Sequence, residues 1–137
     1  MIIYLKWVRC NCKIFIGGNK MKLTETVQTA DWKAEKHVPV IHVERADGLL
    51  KIKALVGEEI EHPNTLEHHI AWIKVFFKPE GEKFPVEVGS YEFAAHGEAD
   101  LFTIPCVEAA VKTDKGGEVY ALSYCNIHGL WENTVEA

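Results

Sequence analysis

From Val38 onward, short apolar segments alternate with turn signals at roughly ten-residue intervals, the spacing of an all-β sandwich or barrel. The expected strands are Val38 to Arg45, Leu49 to Val56, Ile70 to Phe77, Ser90 to Ala95, Phe102 to Thr113, Glu118 to Tyr124 and Leu130 to Val135. Turns fall at Asp47-Gly48, Gly57, Pro63-Asn64, Pro79-Glu80-Gly81, Gly97 and Lys115-Gly116-Gly117. Alternation is clearest in Lys51-Ile52-Lys53-Ala54-Leu55, which sends the lysines to water and Ile52 to a core. Helical periodicity is nearly absent, and Thr29 to Lys36 is expected to make one helical turn.

A chain of 137 residues, 47% of them hydrophobic, suffices for one globular core. Its formal charge of -5 and its lack of a lysine or arginine cluster argue against nucleic acid and anionic membranes as partners. No apolar run approaches the length of a membrane span, so a soluble protein is expected. Residues 1–20 form an expected amino-terminal extension, ending in Gly17-Gly18-Asn19-Lys20, and residues 21–137 the domain. Lys6, Arg9 and Lys13 interrupt the apolar character of that extension, which is not read as a targeting segment. Cysteines at 10, 12, 106 and 125 follow no disulfide framework, and a reducing cytoplasm is the expected compartment.

Chemistry concentrates in three stretches. Cys125-Asn126-Ile127-His128 allows a tight turn to bring sulfur and imidazole to one ion, although a buried cysteine beside a solvated histidine fits the same spacing. His62-Pro63-Asn64-Thr65-Leu66-Glu67-His68-His69 folds back at its Pro-Asn turn, and of the adjacent pair His68 and His69 at most one is expected to face a given ion. Glu35-Lys36-His37-Val38-Pro39 places a histidine at a strand start, where a solvated turn histidine is the plainer reading. Soft sulfur with borderline nitrogen favours iron, zinc or copper over magnesium or calcium. His42 is expected at the surface, His96 in a turn or behind a ligand, Cys106 in the core, and Trp32, Trp72 and Trp131 in the core or a site wall. Cys10 and Cys12 cannot complete a four-thiolate site, and Trp7 belongs to the extension.

Together, Glu35-Lys36-His37-Val38-Pro39, His62-Pro63-Asn64 with Glu67-His68-His69-Ile70, and Ser123-Tyr124-Cys125-Asn126-Ile127-His128-Gly129-Leu130-Trp131-Glu132 closely resemble the superoxide reductases of the neelaredoxin and desulfoferrodoxin type. The likeness runs from about Met21 to Val135. It implies an immunoglobulin-like β-sandwich with one non-haem iron per chain at its surface, held by His37, His62, His68 and His128 in a plane and by the Cys125 thiolate on the axis. It further implies that Glu35 caps the sixth position of the oxidised iron and that Lys36 stands beside the open face. The implied reaction is one-electron reduction of superoxide to hydrogen peroxide, with a rubredoxin-like electron donor and a tetrameric assembly. Because the extension has only two cysteines, the four-cysteine centre of two-iron relatives is not expected.

Other classes of function meet the same residues. An electron carrier or a zinc-stabilised binding module would use the same ligands, and a cysteine hydrolase would use Cys125 with a histidine base and leave the remaining histidines idle.

Overall fold

The computed structural model describes residues 18–137. Cys10, Cys12, Trp7 and all but the last three residues of the expected extension lie outside that range. Seven strands follow in order: β1 (Val40–Ala46), β2 (Leu49–Leu55), β3 (Ile70–Pro79), β4 (Val86–Glu92), β5 (Cys106–Lys112), β6 (Gly117–Cys125) and β7 (Gly129–Glu136). They form two antiparallel sheets, one ordered β1-β2-β5 and the other β4-β3-β6-β7. This division is that of an immunoglobulin-like β-sandwich, as the sequence motifs imply.

Strict alternation builds the core. In β2, Leu50, Ile52 and Ala54 turn inward while Lys51 and Lys53 stay exposed, and they meet Ile73, Val75 and Phe77 of β3 and Val119 and Ala121 of β6. Each large apolar side chain so buried contributes about 1.5–3 kcal/mol. The same alternation along β6 continues through Ser123 to Cys125, so the sulfur ends buried at the rim of the sandwich.

Three connections converge at that rim. The Val40 to Leu55 pairing puts the start of β1 beside the end of β2, and the Ile70 to Cys125 pairing puts the start of β3 beside the end of β6. A register shift between Ile70 and Trp72 adjusts β3 at this point. The segment before β1, the β2–β3 loop and the β6–β7 turn therefore share one end of the molecule.

Some expected elements differ. The strand expected over Ser90 to Ala95 is β4, which lies earlier, because Phe93 N–H closes the pairing on the Ala71 carbonyl and the chain then leaves the sheet. The strand expected from Phe102 begins only at Cys106, since residues 102 to 105 form a loop in which Phe102 and Ile104 are exposed. Apolar composition in these loops imitates strand. No helix forms over Thr29 to Lys36: the Asp31 carboxylate accepts from Lys33 N–H and its carbonyl from Ala34 N–H, giving a turn. The helical turns described are 3₁₀ at Leu23–Glu25 and Glu98–Asp100. Cys106 is half-buried, because Val107 takes the inward position of β5. Trp72 stands on the outer face of the four-stranded sheet, half-buried and stacked on Tyr124, and Trp32 is half-buried in its turn. Among the described residues no helix is long and apolar enough to cross a membrane.

Gly117 opens β6 opposite Pro79, and a Cβ there would lie 2.2 Å from the Lys78 carbonyl oxygen. Gly117→Ala is expected to cost about 1–3 kcal/mol, as overpacking against backbone does. Urea unfolding measures this; an unchanged midpoint would show that β3 and β6 do not close so tightly there.

Candidate metal centre

Each putting-together of the site begins with a local constraint on one imidazole. His37 is buried; its ring stacks on Trp131 with centroids 4.8 Å apart, and its carbonyl accepts from the buried Ser123 hydroxyl at 3.1 Å. Its Nδ1 meets the Glu35 carboxylate, leaving Nε2 directed away from that pair. His62, also buried, has Nδ1 against the Pro63 carbonyl at 2.7 Å, so Nε2 is again the free nitrogen. His68 is placed by a reciprocal backbone pair with Thr65 and by the Thr65 hydroxyl, which accepts from His68 N–H at 3.1 Å. His128 sits at the exposed side, in the turn that the Cys125 sulfur stabilises by accepting from His128 N–H at 3.4 Å.

The four rings stand at the corners of a square. Neighbouring centroids lie 4.8 Å (His37, His62), 4.7 Å (His62, His68), 4.9 Å (His68, His128) and 4.6 Å (His128, His37) apart, each pair steeply inclined. His37 and His68 are farther apart, 6.3 Å, as opposite corners must be. Donor atoms of His37, His62, His68 and Cys125 all lie within 4.8 Å of one another. His128 joins them through Nδ1, which is 2.9 Å from His37 Nε2 and 3.6 Å from the Cys125 sulfur.

A metal ion suits this arrangement. With metal–nitrogen bonds of about 2.1 Å and a metal–sulfur bond of about 2.3 Å, adjacent nitrogens of a square stand about 3.0 Å apart and an axial sulfur about 3.1 Å from each. Among the described residues, His62 Nε2 and His68 Nε2 are the buried side-chain polar atoms without a hydrogen-bond partner. Two orphaned nitrogens aimed into one cluster are costly unless something accepts their lone pairs.

Burial favours the neutral form of His37, His62 and His68. Burial lowers the pKa of His37, although the Glu35 carboxylate opposes the shift. Burial lowers His62 to about 4, aided by its neighbours His37 and His68 and by Lys36. His68 is lowered by burial, then by the charges of His128 and Lys36. Burial alone would raise the Glu35 carboxyl, but the hydrogen bonds from His37 outweigh it and the net direction is down. Neutral imidazoles are the form that binds metal.

A family model for desulfoferrodoxin matches residues 29–134. The chain belongs to the desulfoferrodoxin family. Among its relatives is a superoxide reductase of Pyrococcus furiosus, 55% identical over 120 residues that cover 82% of this chain and 97% of the relative. The neelaredoxin of Megalodesulfovibrio gigas is 48% identical over 124 residues, covering 83% and 95%. Among solved structures, the superoxide reductase (neelaredoxin) from Archaeoglobus fulgidus in the reduced form is 54% identical with a TM-score of 0.78, covering 81% of this chain and 97% of that one.

For this desulfoferrodoxin-family chain, all five donor residues expected from the motifs lie at one end of the sandwich, and His69 turns away to stack on His96. His42 is exposed and pairs with Glu58 at 2.7 Å. Sequence reasoning did not find Ser123, Asn126, Asn64 or Gln28. Asn126 accepts from His69 N–H at 2.9 Å and donates to the Glu67 carbonyl at 3.0 Å, tying the two ligand-bearing loops together. Gln28 donates to the His128 carbonyl at 3.0 Å. Asn64, Ser123 and Asn126 lie within the motifs but carried no assigned side-chain role, and Gln28 lies seven residues before Glu35 with no local signal.

In metal-free protein, His62 binds a proton at about 4 when folded and near 6.5 when unfolded, so the unfolded chain holds more protons between those values and stability falls as pH drops through that window. The urea midpoint of metal-free protein is expected to decline from pH 6.5 to 4, less so in His62→Phe. A midpoint equally steep in both would show that the His62 ring is solvated.

Proposed function

We propose that this chain is a superoxide reductase, an oxidoreductase that converts superoxide to hydrogen peroxide at one iron held by His37, His62, His68, His128 and Cys125. The observation that carries the reading is the imidazole square with a buried sulfur beside it and two unpartnered nitrogens within it. Relatives that cover nearly their whole length with this chain bear the name superoxide reductase.

Iron, when bound, supplies the single electron that the reaction requires. Nε2 of His37, His62 and His68 and Nδ1 of His128 would hold it in the square, with the Cys125 sulfur as the remaining donor. Four neutral rings and one thiolate leave a divalent ion there with one net positive charge, while the chain as a whole carries -5. Lys36 supplies the missing local field: its charge acts on Glu35, His37, His62 and His68 alike. It draws the superoxide anion toward the ligand cluster, and such steering raises association by roughly 10 to 1,000-fold and weakens with salt.

His37 donates its Nδ1 proton to Glu35, which fixes the tautomer that offers Nε2 to the ion. Glu35 thus orients a ligand, and it takes up the capping role implied by the family motif only on giving up that bond. Superoxide takes one electron and two protons to become hydrogen peroxide, and solvent at the open side provides the protons. A rubredoxin-like one-electron donor then restores the reduced state, with access beside Cys125 where Leu66 and Ile127 stand exposed. A tetramer and a cytoplasmic setting complete the reading.

Three variants test it. Cys125→Ser is expected to abolish the sulfur-to-iron charge-transfer band in the visible spectrum; a persisting band would assign the sulfur ligand to another cysteine. Lys36→Ala, with iron still bound, is expected to consume superoxide more slowly and with less sensitivity to salt in pulse radiolysis. An unchanged rate constant would remove the steering role. Glu35→Ala should leave fast consumption intact but alter the spectrum of the oxidised protein, and an identical spectrum would exclude both the cap and the orienting bond.

A further inference from the structure

Behind the ligands, on the side away from the cluster, lies a histidine that the reaction does not use. His96 is buried in the loop after β4, its ring stacked on His69 with centroids 3.6 Å apart and planes inclined by 14°. Its Nε2 faces the Phe93 carbonyl at 2.7 Å and its Nδ1 faces Asn64 Oδ1 at 2.7 Å. The Asn64 amide cannot be turned round, because its Nδ2 already donates to the Thr103 carbonyl at 3.0 Å. Both acceptors around the ring are therefore fixed, and a neutral imidazole has a proton for only one of them. Two donated bonds require both ring nitrogens to carry hydrogen.

Besides the Phe93 carbonyl, three groups face the ring. His69 donates from Nδ1 to the Thr65 carbonyl at 2.8 Å. Glu98 accepts from the His96 backbone N–H, which places a carboxylate beside the ring. Asn64 supplies the third contact and lies between His62 and His68.

From these contacts we infer that His96 is a positioning residue of the metal centre: as a double donor it clamps the His62–His68 loop through Asn64 and, through the His69 stack, the Asn126 turn that follows Cys125. The path is continuous. Asn64 sits two residues from His62, and Thr65 is bonded to both His68 and His69. His69 N–H donates to Asn126, whose own N–H returns to the His69 carbonyl at 3.2 Å. Two imidazole ligands and the sulfur are thereby held from outside by one ring. The inference rests on the metal-centre reading.

Residues that orient ligands from behind typically change metal affinity by about 10 to 100-fold when removed. His96→Phe keeps the size and the stack but donates neither bond. Iron-loaded full-length protein is challenged with an excess of a ferrous chelator, and His96→Phe is expected to release iron at least about ten-fold faster than the unaltered chain. Val119→Ala, a core change away from the rim, is expected to lower stability without speeding release. In metal-free protein, amide exchange at His68 and His69 should accelerate in His96→Phe, and nitrogen-15 spectra of the unaltered chain should show hydrogen on both His96 ring nitrogens. Should His96→Phe fail to fold, Asn64→Ala cuts the same link and carries the same expectation. Equal release rates for the variant and the unaltered chain, faster release equally in Val119→Ala, or a single ring N–H on His96 would each overturn the inference. An unaltered chain that binds no iron would instead sink the metal-centre reading itself.

Discussion

Burial of the Cys125 sulfur at the last inward position of β6 is the contact on which the rest of the site depends. It comes from core alternation, the same rule that buries Val119, Ala121 and Ser123. Because the ladder to β3 ends at the Ile70 to Cys125 pair, the sulfur is held by two sheet partners and lies where three connections meet. A buried, doubly paired strand position thus fixes one donor, and loops bring the others to it.

Those loops are held from behind by polar contacts. Trp131 and Ser123 fix His37 against the four-stranded sheet, and Trp131 Nε1 also donates to the His128 carbonyl at 3.2 Å. Asn126 joins the β6–β7 turn to the β2–β3 loop. Such an arrangement places the donors before any ion arrives, which lowers the ordering entropy that metal binding must offset. Burial then holds His37, His62 and His68 below the usual imidazole range, so proton competition for their nitrogens is weak where the metal must bind.

Charge is divided by position. The chain is acidic overall, yet the Lys36 charge acts on His37, His62 and His68 at the rim, and Glu35 is occupied by His37. With an ion bound, a small anion would meet an attractive field at this rim.

The sequence by itself determined an all-β chain, sandwich or barrel, and gathered the candidate donors into three compact motifs, because alternation, turns and motifs are local properties that neighbouring residues set; the resemblance those motifs carry then implied the sandwich and the ligand set. Adjacent residues of an extended segment point to opposite sides, so alternation allowed at most one of His68 and His69 at a given ion, and the family resemblance chose His68. The sequence misplaced β4 and the start of β5, where apolar loop residues such as Phe93 and Ile104 are locally indistinguishable from strand. Only the tertiary structure decided that Trp72 faces outward while Trp131 walls the site, that Glu35 engages the outer nitrogen of His37, and that His96 stands behind the ligands bonded to Asn64. These facts depend on contacts between residues far apart in the chain, such as the 86 positions between Ser123 and His37, and no local pattern encodes which distant carbonyl will meet which donor.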